Sequence, residues 1–378
     1  MAHDCHVYLV PGFFGFTSLG ALNYFHRVSG VLGDALAARG VQARIIETRT
    51  RPTGSIRNRA DRLLEDVLAT GGADAPALHF VGHSTGGLDI RLLVTPDVKL
   101  RGEGAEERVG RRVRSVTSIA TPHFGTPMAN FFTTLQGRQL LRALTLLATT
   151  DQGRTSIFLA AQLAARLASA DDRLGLDRTL LDRLSEVLLR RITLDRADPV
   201  WEFLREVAAD QGALIQLTPE GMNLYNAAVT PRPGVDYRCV VTAAKPPFAF
   251  GALEFARLSA WRKTTATVFA FLHALTSREH SHYPYPSPAE DERARIQVAL
   301  PFALTEATND GVVPTLSQIY GEPLLAVVAD HLDVVGQFMD AGGDPLSDWL
   351  ASGSGFDEAR FQQVWGAVAD AIVAAHGA

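Results

Sequence analysis

The sequence has little cysteine, no excess of positive charge and no long unbroken apolar run. Two cysteines in 378 residues cannot build a disulfide framework, so the chain is not a small stapled scaffold. Cys5 and Cys239 both lie in apolar stretches that read as strands, which predicts buried free thiols. The 36 basic residues are outnumbered by 41 acidic ones, giving a formal net charge of −5. That leaves no electrostatic footprint for a nucleic acid. The longest candidate membrane segment, 248–275, carries Glu254, Arg257, Arg262 and Lys263, which excludes a span. The N-terminal stretch Met1 to His6 lacks the basic region of a signal peptide, and the apolar run after it is broken by Pro11-Gly12. A cytoplasmic location is expected, or secretion with the leader absent from this sequence. Repeats and low-complexity tracts are also missing.

What is present is globular: 47% hydrophobic and 20% charged residues suffice for a substantial core. The first third alternates strands and helices, the pattern of a parallel sheet with crossover helices. Strands are expected at 6–10, 41–47, 77–81 and 113–120, and helices at 23–39 and 55–68. From 128 to about 209 the pattern is helical throughout. Leu140, Leu144 and Leu147 share a face, as do Leu159, Leu163 and Leu167, then Leu180, Leu184, Val187 and Leu188. Strand signal returns at 235–242 and 323–328, and an amphipathic helix closes the chain at 356–374. The expected architecture is an α/β fold, a doubly wound and mostly parallel sheet. Its core is 1–127 with 235–378, interrupted by a helical cap at 128–234 and a second, aromatic- and proline-rich insertion at 245–288.

The chemistry centres on Gly82-His83-Ser84-Thr85-Gly86, between a buried strand and a helix. A strand-to-helix turn this tight has no room for side chains two residues either side of the serine. Two glycines there predict a nucleophile elbow with Ser84 exposed at its tip. The pattern alone is weak, and its placement is what gives it weight. His83 reads as a structural neighbour, since it points away from Ser84. Acyl transfer also needs backbone N–H groups aimed at the tetrahedral oxygen. The residue after the nucleophile, Thr85, supplies one, and the loop Val10-Pro11-Gly12-Phe13-Phe14-Gly15 offers the Phe13 amide as the other.

Eleven histidines compete to be the base. His331 is preferred because it follows the last strand-like run and an Ala-Asp turn. The order serine, acid, histidine is that of α/β-hydrolases. The acid then falls at Asp310, in the turn Asn309-Asp310-Gly311, with Glu306 as runner-up. Asp330 and Asp333 are too near His331 in sequence to reach its Nδ1 easily. His123 reads as an anchor for the loop after its strand. His280 and His282 could form a metal pair, though exposed loop histidines usually bind nothing.

Together these stretches, with Thr121-Pro122-His123-Phe124-Gly125-Thr126, Leu217-Thr218-Pro219-Glu220-Gly221-Met222 and His331-Leu332-Asp333-Val334-Val335, resemble the bacterial true lipases, the triacylglycerol lipases typified by those of Pseudomonas and Burkholderia. The resemblance covers about half the chain, the sheet and the end of the cap. Pro11-Gly12 stands where that family has His-Gly, and its export signal is not visible here. The resemblance implies a carboxylester hydrolase with Ser84, His331 and Asp310 as triad, acting on a small-molecule or lipid ester, with a lipid interface as partner. It also implies a structural Ca²⁺, bound by Asp333, Gln337 and the carbonyl of Ala341, with Asp291 or Glu290 upstream. Oxygen-only ligands suit that ion. The alternative is that Asp333 and Gln337 lie one and two turns along a solvated helix. No cofactor is needed for the chemistry itself. An acyltransferase or thioesterase on the same triad, or a polyester depolymerase, fits the same residues. A non-catalytic hydrolase-like binding protein does not need a complete triad.

Overall fold

The computed structural model describes residues 3–13, 18–19, 22–100, 104–134, 206, 209–247, 258–278, 288–339 and 348–377. Six strands form one sheet: β1 (Cys5–Val10), β4 (Ala43–Glu47), β5 (Leu78–His83), β6 (Val113–Ile119), β7 (Asp236–Ala243) and β8 (Glu322–Val328). Their order is β4-β1-β5-β6-β7-β8 and every pairing is parallel. Two short strands, β2 (Ser18–Leu19) and β3 (Leu22–Asn23), pair antiparallel beside it.

Both faces of the sheet are covered, so its strands are apolar on both sides. Cys5, Val7 and Leu9 of β1 and Val81 of β5 face one layer. That layer is α1 (Val28–Ala38), through Val28, Leu32 and Leu36, and the terminal helix α10 (Glu358–His376), through Phe361, Trp365 and Val368. Tyr8, Leu78 and Phe80 face the other layer. There α2 (Ile56–Ala69) contributes Leu63 and Val67, and α3 (Gly86–Val94) contributes Ile90 and Leu93. Burying a side chain of this size is worth about 1.5–3 kcal/mol, and Trp365, Tyr8, Phe80 and Phe361 are among the largest fully buried.

The chain runs from β1 outward to β4, then returns to place β5 on the other side of β1. At such a reversal the loops leaving the two strands diverge, and a crevice opens beyond their carboxyl ends. Val10 is paired with Gly82 at that edge, so 11–13 and the elbow emerge side by side.

The helix expected at 23–39 begins at Val28, because Arg27 takes a left-handed φ of 63° and the preceding residues pair in β3. The short helix α4 (Ala105–Gly110) and α5 (Pro127–Thr133) follow in sequence, the second opening the expected cap. Before β7 come α6 (Gly212–Gln216) and α7 (Pro219–Ala228), the latter capped by Thr218, whose Oγ1 accepts from the Gly221 amide. The leucine faces from Leu140 to Leu188 lie outside the described residues, as do His280 and His282. Within the segment expected as a second insertion lies a helix of 17 residues, α8 (Ala260–Thr276). It is followed by α9 (Glu290–Ala299), which packs Ile296 and Leu300 on β7 and β8 and gave no clear sequence signal. Among the described residues, no helix is long and apolar enough to cross a membrane.

Candidate active site

Ser84 directly follows β5 with a φ of 55°, a left-handed conformation that costs a non-glycine residue energy and is kept only where its surroundings enforce it. The enforcement is visible on both sides. A Cβ on Gly82 would stand 2.5 Å from the Gly87 nitrogen, and one on Gly86 would collide with the Val10 carbonyl oxygen. The Ser84 amide donates to Ile119 O across to β6 (2.9 Å), which locks the strained residue to the sheet. Thr85 is the N-cap of α3, a position where amides lack intrahelical acceptors and the helix dipole favours negative charge.

Asp310 and His331 are brought together. His331 Nδ1 donates to Asp310 Oδ2 at 2.8 Å, and the His331 amide donates to the Asp310 carbonyl at 3.0 Å. The Asp310 carboxylate is fully buried and held by further donors. Val312 and Val313 amides reach Oδ1 (2.9 and 2.7 Å), while Thr242 Oγ1 and Gln318 Nε2 reach Oδ2 (2.8 and 3.3 Å). A carboxylate with this many donors is fixed in orientation. Glu306 is exposed, and the carboxylate on His331 is that of Asp310.

A second chain of hydrogen bonds ties the loops together. The Gly12 amide donates to the Tyr24 phenol (2.7 Å), which contacts His83 Nδ1 (2.8 Å), and His83 Nε2 contacts the carbonyl of His331 (2.8 Å). A carbonyl only accepts, so the Nε2 carries the proton and the Nδ1 accepts from the phenol. Burial holds His83 far below its ordinary pKa, and the neighbouring His331 adds to this. It is therefore a neutral crosslink and not a second base. Because the Gly12 N–H is engaged with Tyr24, Phe13 is the next amide along the loop. A Cβ on Gly12 would strike that of Ser84, so glycine lets the loop lie against the nucleophile.

The same loop is gripped from the other side by Arg59. Its Nη2 donates to the carbonyls of Pro11 (2.9 Å) and Gly12 (3.0 Å), and its Nε to both oxygens of Asp89. Arg59 and Asp89 are both fully buried. Burial pushes the Asp89 carboxyl up to about 6, against the pull of Arg59.

His123 is buried, with Nδ1 facing Arg91 (3.1 Å), Nε2 facing Ser118 Oγ (2.9 Å) and its ring stacked on Tyr320. It anchors the loop after β6, as its sequence position suggested. The Phe13 side chain packs against Ile56, Leu88, Ala129, Leu217 and Met222. This apolar wall beside the elbow draws residues from α2, α3, α5, α6 and α7 and from the turns beside them.

The residues expected to hold calcium are placed differently from one another. Asp333 is not on a solvated helix. It opens a 3-10 turn, Asp333–Val335, and its Oδ2 accepts from the Asp330 amide and from Ser354 Oγ (both 2.8 Å). Burial raises its carboxyl to about 8, with Asp348 adding to the rise. Gln337 is half-buried, and its Nε2 donates to the Asn23 carbonyl at 2.6 Å. Asp291 is 76% exposed on α9 and pairs with Arg295. Glu290, the other upstream candidate, is also exposed on α9. Ala341 lies outside the described residues. The acidic neighbours of Asp333 are Asp330 and Asp348, whose importance the sequence did not reveal.

No protein-family profile matches the chain. A triacylglycerol lipase of Vibrio cholerae is 33% identical over 129 residues, a stretch that is 33% of this chain and 34% of that protein. The match thus spans about a third of the relative's length. Among solved structures, the Staphylococcus hyicus lipase aligns over 99% of this chain and 96% of its own, with TM-score 0.50 and 15% identity. Lipase 1 from Pelosinus fermentans aligns over 93% of this chain and 98% of its own, with TM-score 0.51 and 16% identity. Identities this low speak for the backbone alone, and with the parallel six-stranded sheet and its elbow they establish that this chain has the α/β-hydrolase fold.

Proposed function

We propose that the chain is a serine carboxylester hydrolase, a lipase or esterase that cleaves hydrophobic acyl esters through an acyl-enzyme. The observation that carries this reading is Ser84 held in a strained left-handed turn whose neighbour His83 is hydrogen-bonded to the carbonyl of His331, itself paired with Asp310. In this mechanism His331 takes the Ser84 proton as the oxygen attacks the ester carbonyl. Asp310 fixes the tautomer and stabilises the imidazolium that forms. The Phe13 and Thr85 amides receive the oxyanion. The alcohol leaves with the proton from His331, and water repeats the sequence on the acyl-enzyme.

The apolar wall of Phe13, Leu88, Leu217 and Met222 favours an acyl chain, met free or at a lipid interface. The partial identity to a triacylglycerol lipase agrees with that class. Membership of the Pseudomonas–Burkholderia group stays part of the proposal. So does a structural Ca²⁺ beside His331. Asp333, packed with Asp330 and Asp348, offers the oxygen donors this ion takes, whereas Asp291 is exposed on α9 and paired with Arg295. A bound ion there would offset the mutual repulsion of these buried carboxylates.

A fluorophosphonate probe tests the nucleophile. Wild type should be labelled and Ser84→Ala should not, with an unchanged circular dichroism spectrum. Hydrolysis of p-nitrophenyl esters from two to sixteen carbons then defines acyl length. Equal labelling of the two proteins would overturn the assignment.

A further inference from the structure

At the opposite edge of the sheet lies a cluster that ester hydrolysis does not use. Cys5 opens β1, His79 is the second residue of β5, and His376 is the last residue of α10. One ligand atom from each lies within 4.8 Å of the others. Cys5 and His79 are fully buried, and Cys5 is a free thiol. Among the described residues, His79 Nε2 and His376 Nδ1 are buried without a hydrogen-bond partner.

Such unsatisfied nitrogens are uncommon in a core and ask for an explanation. His79 supplies one through its other nitrogen, since Nδ1 lies 2.8 Å from Ser115 Oγ. If Ser115 donated, His79 would carry a buried Nε2–H with no acceptor. With Nδ1–H donating instead, Nε2 presents a bare lone pair. That is how a neighbouring acceptor orients a ligating histidine for its metal.

We propose that Cys5, His79 and His376 bind a single Zn²⁺-class cation, with a water or small anion completing the tetrahedron. One thiolate and two imidazoles are the donors this borderline-soft d¹⁰ ion prefers, and three protein ligands with a fourth open position is a known arrangement. Binding releases the Cys5 proton to solvent, and the ion replaces it on sulfur. Asp and Glu side chains are absent from the cluster, which disfavours the hard cations Ca²⁺ and Mg²⁺.

The site lies far from the nucleophile. His79 and Ser84 are five residues apart along β5, about 17 Å at roughly 3.3 Å per residue. The ion's effect is therefore on stability. It joins the first strand and a central strand to the end of the last helix, and it binds the folded chain alone.

The test uses Co²⁺ as a visible probe on the 378-residue chain stripped with chelator. Wild type should bind one equivalent, showing a thiolate-to-cobalt charge-transfer band that Zn²⁺ abolishes, and Zn²⁺ should raise the melting temperature. Cys5→Ala should lose the band, while Cys239→Ala keeps it. His376→Ala, at the end of a helix where folding is not at risk, should weaken Co²⁺ binding on the order of 100-fold. Ester hydrolysis by each variant reports that it has folded. Absence of the band in wild type, or its persistence in Cys5→Ala, would overturn the site.

Discussion

The backbone carbonyl of His331 accepts a hydrogen bond from the side chain of His83, 2.8 Å away and 248 residues earlier in the chain. The proposed base is thus tied to the residue next to the nucleophile, and through Tyr24 to the Gly12 amide. Tyr24→Phe keeps the ring but removes the oxygen that serves both partners. The unsatisfied buried amide and imidazole should cost about 1–3 kcal/mol of stability. The loosened loops should lower kcat on the order of 10- to 100-fold, with KM little changed. Chemical unfolding and steady-state kinetics read the two effects separately. A rise in KM alone would make Tyr24 part of substrate binding instead.

For the triad, His331→Ala should lower kcat by about 10⁴-fold or more, since Ser84 loses its proton acceptor. Asp310→Asn should cost roughly tenfold less, because the His331 amide still holds the loop to the Asp310 carbonyl. Glu306→Gln should behave as wild type. A larger effect from Glu306→Gln than from Asp310→Asn would reverse the choice of acid.

Arg59 and Asp89 form a buried ion pair whose cation also holds the Pro11 and Gly12 carbonyls. Arg59→Met leaves Asp89 without its partner and should destabilise the chain by about 3–5 kcal/mol. The double change Arg59→Met with Asp89→Leu should recover much of that stability but not the activity, because the loop carrying Phe13 stays unclamped. Urea unfolding beside p-nitrophenyl ester turnover distinguishes the outcomes.

Asp89 also carries a pH signature. Its carboxyl is raised from 3.8 to about 6 by burial, so the folded state holds this proton more tightly than the unfolded chain does. The group's contribution is full below about pH 4 and is lost as pH rises through 6. Asp89→Asn should flatten that part of the stability–pH curve. An unchanged slope would show that other groups set it.

Calcium-selective chelation by EGTA should lower the melting temperature and slow hydrolysis, with Ca²⁺ restoring both and Mg²⁺ substituting poorly. Asp333→Asn should be insensitive to the chelator. Asp291→Ala should respond as wild type does, since that side chain stands in solvent on α9. A melting curve unmoved by exhaustive chelation would leave Asp333 as a hydrogen-bonding anchor for the turn after His331.

Much of this site was legible in the sequence because its signals are local. The elbow at Ser84, the Asn309-Asp310-Gly311 turn and the sheet strands each follow from a few contiguous residues. What escaped notice depends on distant partners. Tyr24, Arg59 and Gln318 look like ordinary polar residues until folding brings them to Gly12, Asp89 and Asp310. That Asp291 stands exposed on α9 and pairs with Arg295 was likewise not indicated by sequence spacing. The late start of α1 had no warning either, since Arg27 carries no mark of a left-handed residue.

Trp365 donates from Nε1 to the Val334 carbonyl (3.0 Å), and with Phe361 and Val368 it seals the sheet face begun by Cys5, Val7 and Leu9. A ribosome therefore releases the first strand long before the helix that covers it exists. Until then the nascent chain exposes an apolar, unpartnered sheet face, and closing it requires contacts between residues as distant in sequence as Cys5 and Trp365. Such contacts form slowly, and surfaces left open in the meantime invite aggregation. Production in a cell is accordingly expected to depend on chaperone capacity and growth temperature more than on the stability of the finished fold.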